Sequence, residues 1–193
     1  MRKNSNFLTK KQSFFIGITI GLICLIYYFS YQPTTITSYE SCDVCFSPHE
    51  HCTNKIIHYI ETAEKTIFVQ AFVLTSYPIT NSLIKAFRRG INVNVILDGK
   101  QVTSKRSLHP LLIEAGIQVY IDKIKGGLAH NKIMIFDEDI VLTGSFNFSK
   151  NADTKNAENI LILKDKVLAA HYLENWRQRR DVSMPLMHKN GKE

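Results

Sequence analysis

Residues 130–147, HNKIMIFDEDIVLTGSFN, set His130, Lys132, Asp137, Gly144, Ser145 and Asn147 at intervals that suit chemistry on a phosphate ester. An imidazole attacks or passes a proton near neutral pH, and an ammonium holds a phosphate's charge. His130 and Lys132 stand two residues apart, so on extended chain both side chains project to one face while Asn131 turns away. Gly144 permits close backbone approach, and Ser145 and Asn147 offer short hydrogen-bond donors to non-bridging oxygens. Asp137 falls with Glu138 and Asp139 between two apolar runs. A carboxylate there serves as a turn acceptor more readily than as a base beside an anion. Any one of these residues alone is ordinary surface or loop; six identities at set intervals are not.

The elements that must position them alternate along the chain. The runs IMIF and DIVLTG predict two short strands whose flanking residues meet at one end of a sheet. Upstream, the pattern predicts a helix from Thr53 or Asn54 to Lys65 and a strand over 67–74. Tyr77-Pro78 breaks the chain, and a helix over 81–89 is ended by Gly90. A strand over 92–97, a polar loop over 98–106, a helix over 107–115 ended by Gly116 and a strand over 118–121 follow. After the paired strands come a strand over 159–163, a long helix over 166–180 and a tail from Val182 that reads as disordered. This order predicts an α/β fold, a mixed β-sheet flanked by helices on both faces.

The spacing H-x-K-x4-D-x6-G-S-x-N of residues 130–147 resembles the signature of the phospholipase D superfamily. Phe46-Ser47-Pro48, the apolar stretch 67–74, Arg89-Gly90-Ile91-Asn92-Val93 and Thr154-Lys155-Asn156-Ala157-Glu158-Asn159 are similar to its small single-motif members. Those are the bacterial secreted endonucleases and the mitochondrial cardiolipin hydrolase, a piRNA-pathway nuclease. The resemblance runs over about 45–181 and implies a phospholipase D-like half as the fold. It implies that His130 is a nucleophile forming a phosphohistidine, with Lys132, Asp137 and Glu158 in the catalytic set. Lys132 and Asn147 orient the non-bridging oxygens, Ser145 assists, and Glu158 orients the imidazole. Cofactor and metal are not implied, because lysine, asparagine and histidine supply the charge that a metal otherwise would. A second histidine must protonate the leaving alkoxide, yet the motif occurs once and the other six histidines lack it. A homodimer that completes the active site across a two-fold axis is therefore expected.

The amino terminus sets the compartment. Residues 1–12 carry Arg2, Lys3, Lys10 and Lys11 without an acid, and 13–31 are nineteen residues without a charge. That length and basic flank predict a transmembrane anchor with 1–12 as a cytoplasmic stub. The catalytic domain, 53–181, then lies on the non-cytoplasmic, periplasmic side, or is secreted if the segment is a cleaved signal. The anchor is favoured because a small-x-small cleavage site is missing: Tyr28 stands two residues before Ser30. Residues 32–52 read as a linker with a cysteine and histidine cluster, and 182–193 as the tail.

The net charge of +7 overstates the domain's basicity, since beyond the stub 20 basic residues face 17 acidic ones. Nucleic-acid binding must rest on a local patch. Of the candidate lysines and arginines, Lys123, Lys125, Lys150 and Lys155 adjoin the motif; Lys85, Arg88, Arg89, Lys100, Lys105 and Arg106 lie far from it in sequence. Cys42, Cys45, His49, His51 and Cys52 either bind zinc or, in an exported domain, form a disulfide with one thiol left over, a disulfide or unpaired thiols being favoured over zinc. Three functions remain open: a sequence-indifferent endonuclease on DNA or RNA, preferred on the 154–159 match; a phospholipase D or cardiolipin hydrolase held beside phospholipid by its anchor; and an inactive binding module.

Overall fold

The computed structural model describes residues 10–30 and 39–186, which fall in two compact units, 1–37 and 38–193. The described residues of the first unit form one helix, α1 (Lys10–Ser30). Its apolar side chains from Phe14 to Tyr28 stand exposed, as on a helix that is apolar all round. Among the described residues, however, no helix is long and apolar enough to cross a membrane. The expectation of a span over 13–31 is therefore met as helix and not shown as membrane crossing.

The second unit runs β1 (Ser41–Ser47), α2 (Cys52–Thr62), β2 (Thr66–Ala71), α3 (Tyr77–Arg88), β3 (Asn92–Asp98), a 3₁₀ turn (Gln101–Thr103), α4 (His109–Glu114), β4 (Gln118–Asp122), β5 (Lys132–Phe136), β6 (Ile140–Gly144), α5 (Lys150–Thr154), β7 (Glu158–Lys164), α6 (Lys166–Asp181) and β8 (Met184–Leu186). The strands form one eight-stranded sheet in the order β1-β7-β6-β5-β2-β3-β4-β8. β2, β3 and β4 are parallel, joined through helices; the remaining neighbours are antiparallel. It is the mixed sheet with helices on both faces that the strand and helix alternation predicts.

Strand periodicity divides two cores. Met134 and Phe136 of β5 join Val93 and Val95 of β3 under α2 and α3, with Ile56, Ile60, Ile79 and Leu83. Ile133 and Ile135, one residue out of step, meet Ala169, Leu173 and Trp176 of α6 on the opposite face. Every residue of β5 is buried, as a strand covered on both faces must be. Two side chains tie α6 down: Trp176 Nε1 donates to the Val69 carbonyl at 2.9 Å, and Arg179 donates through both Nε, at 2.8 Å, and Nη2 to the buried Asp122 carboxylate.

Four elements depart from the sequence expectation. α3 begins at Tyr77 rather than after Pro78, because a proline in a helix's first turn forfeits no hydrogen bond. Residues 32–52, expected as linker, contain β1, an edge strand paired with β7; most of its side chains are exposed, so it carries no alternating apolar signal. The tail expected to be disordered from Val182 contributes β8 on the other edge, paired with β4; residues 187–193 lie outside the described residues. Finally, the short α5 starts at a Ser149 cap whose hydroxyl accepts from Ala152 N at 3.2 Å.

The cysteine cluster resolves into a disulfide. Cys45 at the end of β1 is bonded to Cys52 at the start of α2, both fully buried, while Cys42 is a free, exposed thiol. With those two thiols joined, no group of three metal-ligating side chains exists among the described residues, and the zinc alternative has no ligand set.

Candidate active site

The β5–β6 hairpin brings the motif together by register. Met134 pairs with Leu142 and Phe136 with Ile140, so Lys132, first residue of β5, and Gly144, last of β6, stand at the same end. β7 then lies against β6 with Ile160 beside Gly144, which delivers Glu158 to that end. There an open cavity of about 440 Å³ is lined by His130, Asn131, Lys132, Thr143, Gly144, Ser145, Asn147 and Glu158. The structure thus collects five of the six sequence-predicted site residues, His130, Lys132, Ser145, Asn147 and Glu158, in one place.

The sixth, Asp137, is elsewhere. It follows Phe136 at the far end of β5, in the left-handed conformation (φ 54°), and its carboxylate accepts from the backbone N–H of Glu64, Lys65 and Thr66 at 2.9, 2.7 and 2.9 Å. Its assignment to the catalytic set is corrected: this carboxylate closes the α2–β2 connection and touches none of the cavity's side chains.

His130 is exposed and Lys132 is buried. Lys132 Nζ lies 3.0 Å from His130 Nδ1 and 3.4 Å from Nε2, and donates to the His130 carbonyl at 2.6 Å. The two side chains share a face as their spacing predicts, and Asn131 turns to Gln70, donating to its Oε1 at 3.1 Å. Burial pushes the Lys132 ammonium below the usual lysine range, with the charge of Glu158 pulling the other way. A cation kept partly dry beside an open cavity is poised for an anion, since a bound negative charge would repay its lost hydration.

Glu158 is held at the cavity through Ser145 and Asn156. Its Oε2 accepts from Ser145 Oγ at 2.6 Å and its Oε1 from Asn156 Nδ2 at 2.9 Å; neither oxygen is bonded to the His130 ring. Ser145 Oγ in turn accepts from Asn159 N at 3.1 Å. Glu158 thus holds Ser145 in place and lends its charge to Lys132. Gly144 cannot be replaced, because a Cβ there would run into the Asn159 carbonyl. The buried Asn147 Oδ1 has no hydrogen-bond partner among the described residues; as an amide oxygen it accepts, so it awaits a donor, and only the Nδ2 end of the side chain could donate to a phosphate oxygen.

Two positioning groups carry no sequence signal. The Phe72 ring packs against the His130 ring, centroids 4.3 Å apart, and lies 5.1 Å below Lys132 Nζ, a cation–π contact. The buried Asp98 carboxylate accepts from Ala129 N at 2.8 Å and from Lys100 N and Gln101 N, fixing the backbone that leads into His130. Both come from strand ends distant in sequence, and only β2–β5 and β2–β3 pairing brings them here. Among the described residues no second histidine lines the cavity. His171 lines a neighbouring cavity of about 280 Å³ that shares Asn131 and Thr143 with it.

An exposed imidazole seated on a buried ammonium, with a hydroxyl and an amide beside it at a sheet's end, defines a hydrolase for phosphodiesters. The family model described as cardiolipin synthase, phospholipase D-like domain, matches residues 56–180. The chain belongs to the phospholipase D superfamily. A protein named phospholipase D from Rickettsia prowazekii (strain Madrid E) is 37% identical over 94% of this chain and 96% of its own length. The mitochondrial cardiolipin hydrolase of Mus musculus is 30% identical over 69% of this chain and 61% of its own. In structure, the phospholipase D family member Nuc from Salmonella typhimurium superposes with a TM-score of 0.73 at 30% identity, over 77% of this chain and 99% of that one.

Proposed function

We propose that this phosphodiesterase is a metal-independent, sequence-indifferent nuclease that hydrolyses DNA or RNA through a phosphohistidine on His130. One observation carries the reading: every side chain lining the cavity is polar. A long hydrophilic polyanion can therefore reach the histidine.

In the free site Lys132 donates to the imidazole. A bound phosphodiester draws the ammonium onto its non-bridging oxygens, joined by the amide of Asn147 and by the Ser145 hydroxyl once it turns from Glu158, and this frees a ring nitrogen. That nitrogen attacks phosphorus, the bond to the leaving oxygen breaks, and a second imidazole gives that oxygen its proton. The same second imidazole then takes a proton from water as the water attacks the phosphohistidine, releasing a phosphomonoester and restoring His130. The second imidazole is His130 of another copy in a homodimer, since the chain's own cavity holds one histidine.

A phospholipase acting on membrane phospholipid is the second reading. It is favoured by the likeness to the Rickettsia prowazekii phospholipase D over nearly the whole chain and by the exposed apolar side chains of α1, which would anchor the domain beside its substrate on the non-cytoplasmic side. Incubating the full chain, in EDTA, with plasmid and separately with phosphatidylcholine and cardiolipin vesicles tests both. Plasmid nicking without lipid turnover is expected; lipid turnover without nicking assigns the phospholipase, and loss of all turnover in EDTA overturns metal independence. A reaction quenched without acid should carry the phosphoryl adduct on His130 by mass spectrometry.

A further inference from the structure

Three cations line a second cleft beside the catalytic cavity. Lys105 and Arg106 from the loop after β3, and Lys150 from the start of α5, surround a space of about 360 Å³ together with Thr75 and Tyr77. All three cations are exposed. Among the described residues none of them is in an ion pair, and no acidic residue lines the cleft. Three like charges gathered around one space repel each other in the free protein, and an anion in the cleft would relieve that repulsion. Tyr77, at the mouth of α3, is 61% exposed, a large ring offered to solvent in contact with the same space.

The cleft and the catalytic cavity are linked by one short stretch of chain. Asn147 lines the cavity and Ser149 the cleft, while Phe148 between them is fully buried. The Phe148 carbonyl accepts from Thr75 N and Ser76 N at 2.9 and 3.0 Å, which fixes the separation of the two spaces. Two residues span at most about 7 Å, and Ser149 N donating to the Asn147 carbonyl at 2.6 Å shortens this stretch further, so a strand whose phosphate sits on His130 and Lys132 can reach the cleft with its neighbouring phosphates.

We infer that the Lys105, Arg106 and Lys150 cleft is a second phosphate subsite, which grips the nucleic-acid backbone beside the scissile bond while Tyr77 stacks on a base. This rests on the nuclease reading of the catalytic site. A cationic groove paired with an exposed aromatic is the means by which proteins hold single strands without reading sequence. Vesicle headgroups would use the cations and leave Tyr77 without a partner, so the nucleic acid is the occupant that accounts for both.

The test compares the full chain with a Lys105→Ala/Arg106→Ala/Lys150→Ala triple variant and with Tyr77→Ala. Each is assayed in EDTA on a single-stranded 12-mer, on bis(p-nitrophenyl) phosphate, which has one phosphate, and on cardiolipin vesicles. The triple variant should raise KM for the 12-mer about tenfold or more. It should also flatten the slope of log binding against log salt by about 2, at roughly 0.7 per lost phosphate contact on a single strand. Turnover of the one-phosphate ester should stay within twofold, which also shows that the variant is folded. Tyr77→Ala should raise KM for the 12-mer about fivefold with the salt slope unchanged, as lost stacking does. If the parent cleaves the 12-mer and the triple variant matches it in KM and slope, the subsite is overturned while the nuclease reading stands. If the parent turns over the one-phosphate ester and never the 12-mer, the nuclease reading itself has failed. Selective loss of vesicle turnover in the triple variant reassigns the cleft to lipid headgroups and overturns the proposal.

Discussion

The two ends of the β5–β6 hairpin hold residues of one motif for opposite physical reasons. At the turn, the Asp137 carboxylate is saturated by three backbone donors, and it stabilises the chain by leaving no N–H of residues 64–66 stranded. At the open end, Lys132 is buried at a cost to its charge, with His130 as its hydrogen-bond neighbour. One end spends its polar groups on the fold; the other withholds them for a ligand. Fixed spacing in a motif therefore does not mean shared function, and the state of each group's hydrogen-bonding capacity separates the two roles.

The largest expected effect lies at the open end. His130→Ala should lower phosphodiester turnover about 10⁴-fold or more, as loss of a nucleophile does, with the thermal midpoint unchanged because the side chain is exposed. His171→Ala should leave turnover intact; a loss equal to that of His130→Ala would show that the second imidazole comes from the same chain. Lys132→Met should cost about 10²- to 10³-fold in kcat and raise stability by about 1 kcal/mol, since it deletes a desolvated charge. Stability lost together with activity would erase the contrast between the two ends.

At the turn the signs reverse. Asp137→Ala should cost about 2 kcal/mol by urea unfolding, because it strands backbone donors, while kcat of the folded protein stays within threefold. Removing the Cys45–Cys52 bridge with Cys45→Ser/Cys52→Ser should cost about 2 kcal/mol for so short a loop, again without touching kcat. The smallest effect is a pH shift. Burial lowers the pKa of Lys132, so its ammonium is lost earlier as pH rises. The alkaline limb of kcat/KM, which reports the free enzyme, should then fall below the about 10.4 of an ordinary lysine. The corresponding stability term has the opposite sense: the penalty for the buried charge is full at neutral pH and fades as pH rises through the lowered pKa. A limb at or above 10.4 would disconnect Lys132 from the rate.

How much was legible follows from what each signal needs. β5 and β6 are visible because buried strands demand runs of apolar residues, and α6 because a polar segment recurs between an Asp165 cap and basic residues. β1 was missed because an edge strand with exposed side chains owes its existence to β7. β8 was missed because three residues pair only when β4 offers an edge. Among site residues, His130, Lys132, Ser145 and Asn147 were legible because chemistry restricts their types and the hairpin restricts their spacing. Glu158 was legible as a member of the site and not in its partners. Phe72 and Asp98 were invisible, since a phenylalanine after a strand and an aspartate at a strand end have no spacing to announce them. Lys105 and Arg106 looked like solvated surface, and only the fold sets them beside Lys150.

By itself the sequence determined the chemistry. Residue types fix what can attack, donate and carry charge, and period-two alternation fixes which of them share a face. The tertiary structure decided the assignments that depend on distance through space: which carboxylate is spent on backbone, which ammonium is dried, and which cations converge. Those are set by strand order and register, long-range pairings that a local pattern of residues does not encode.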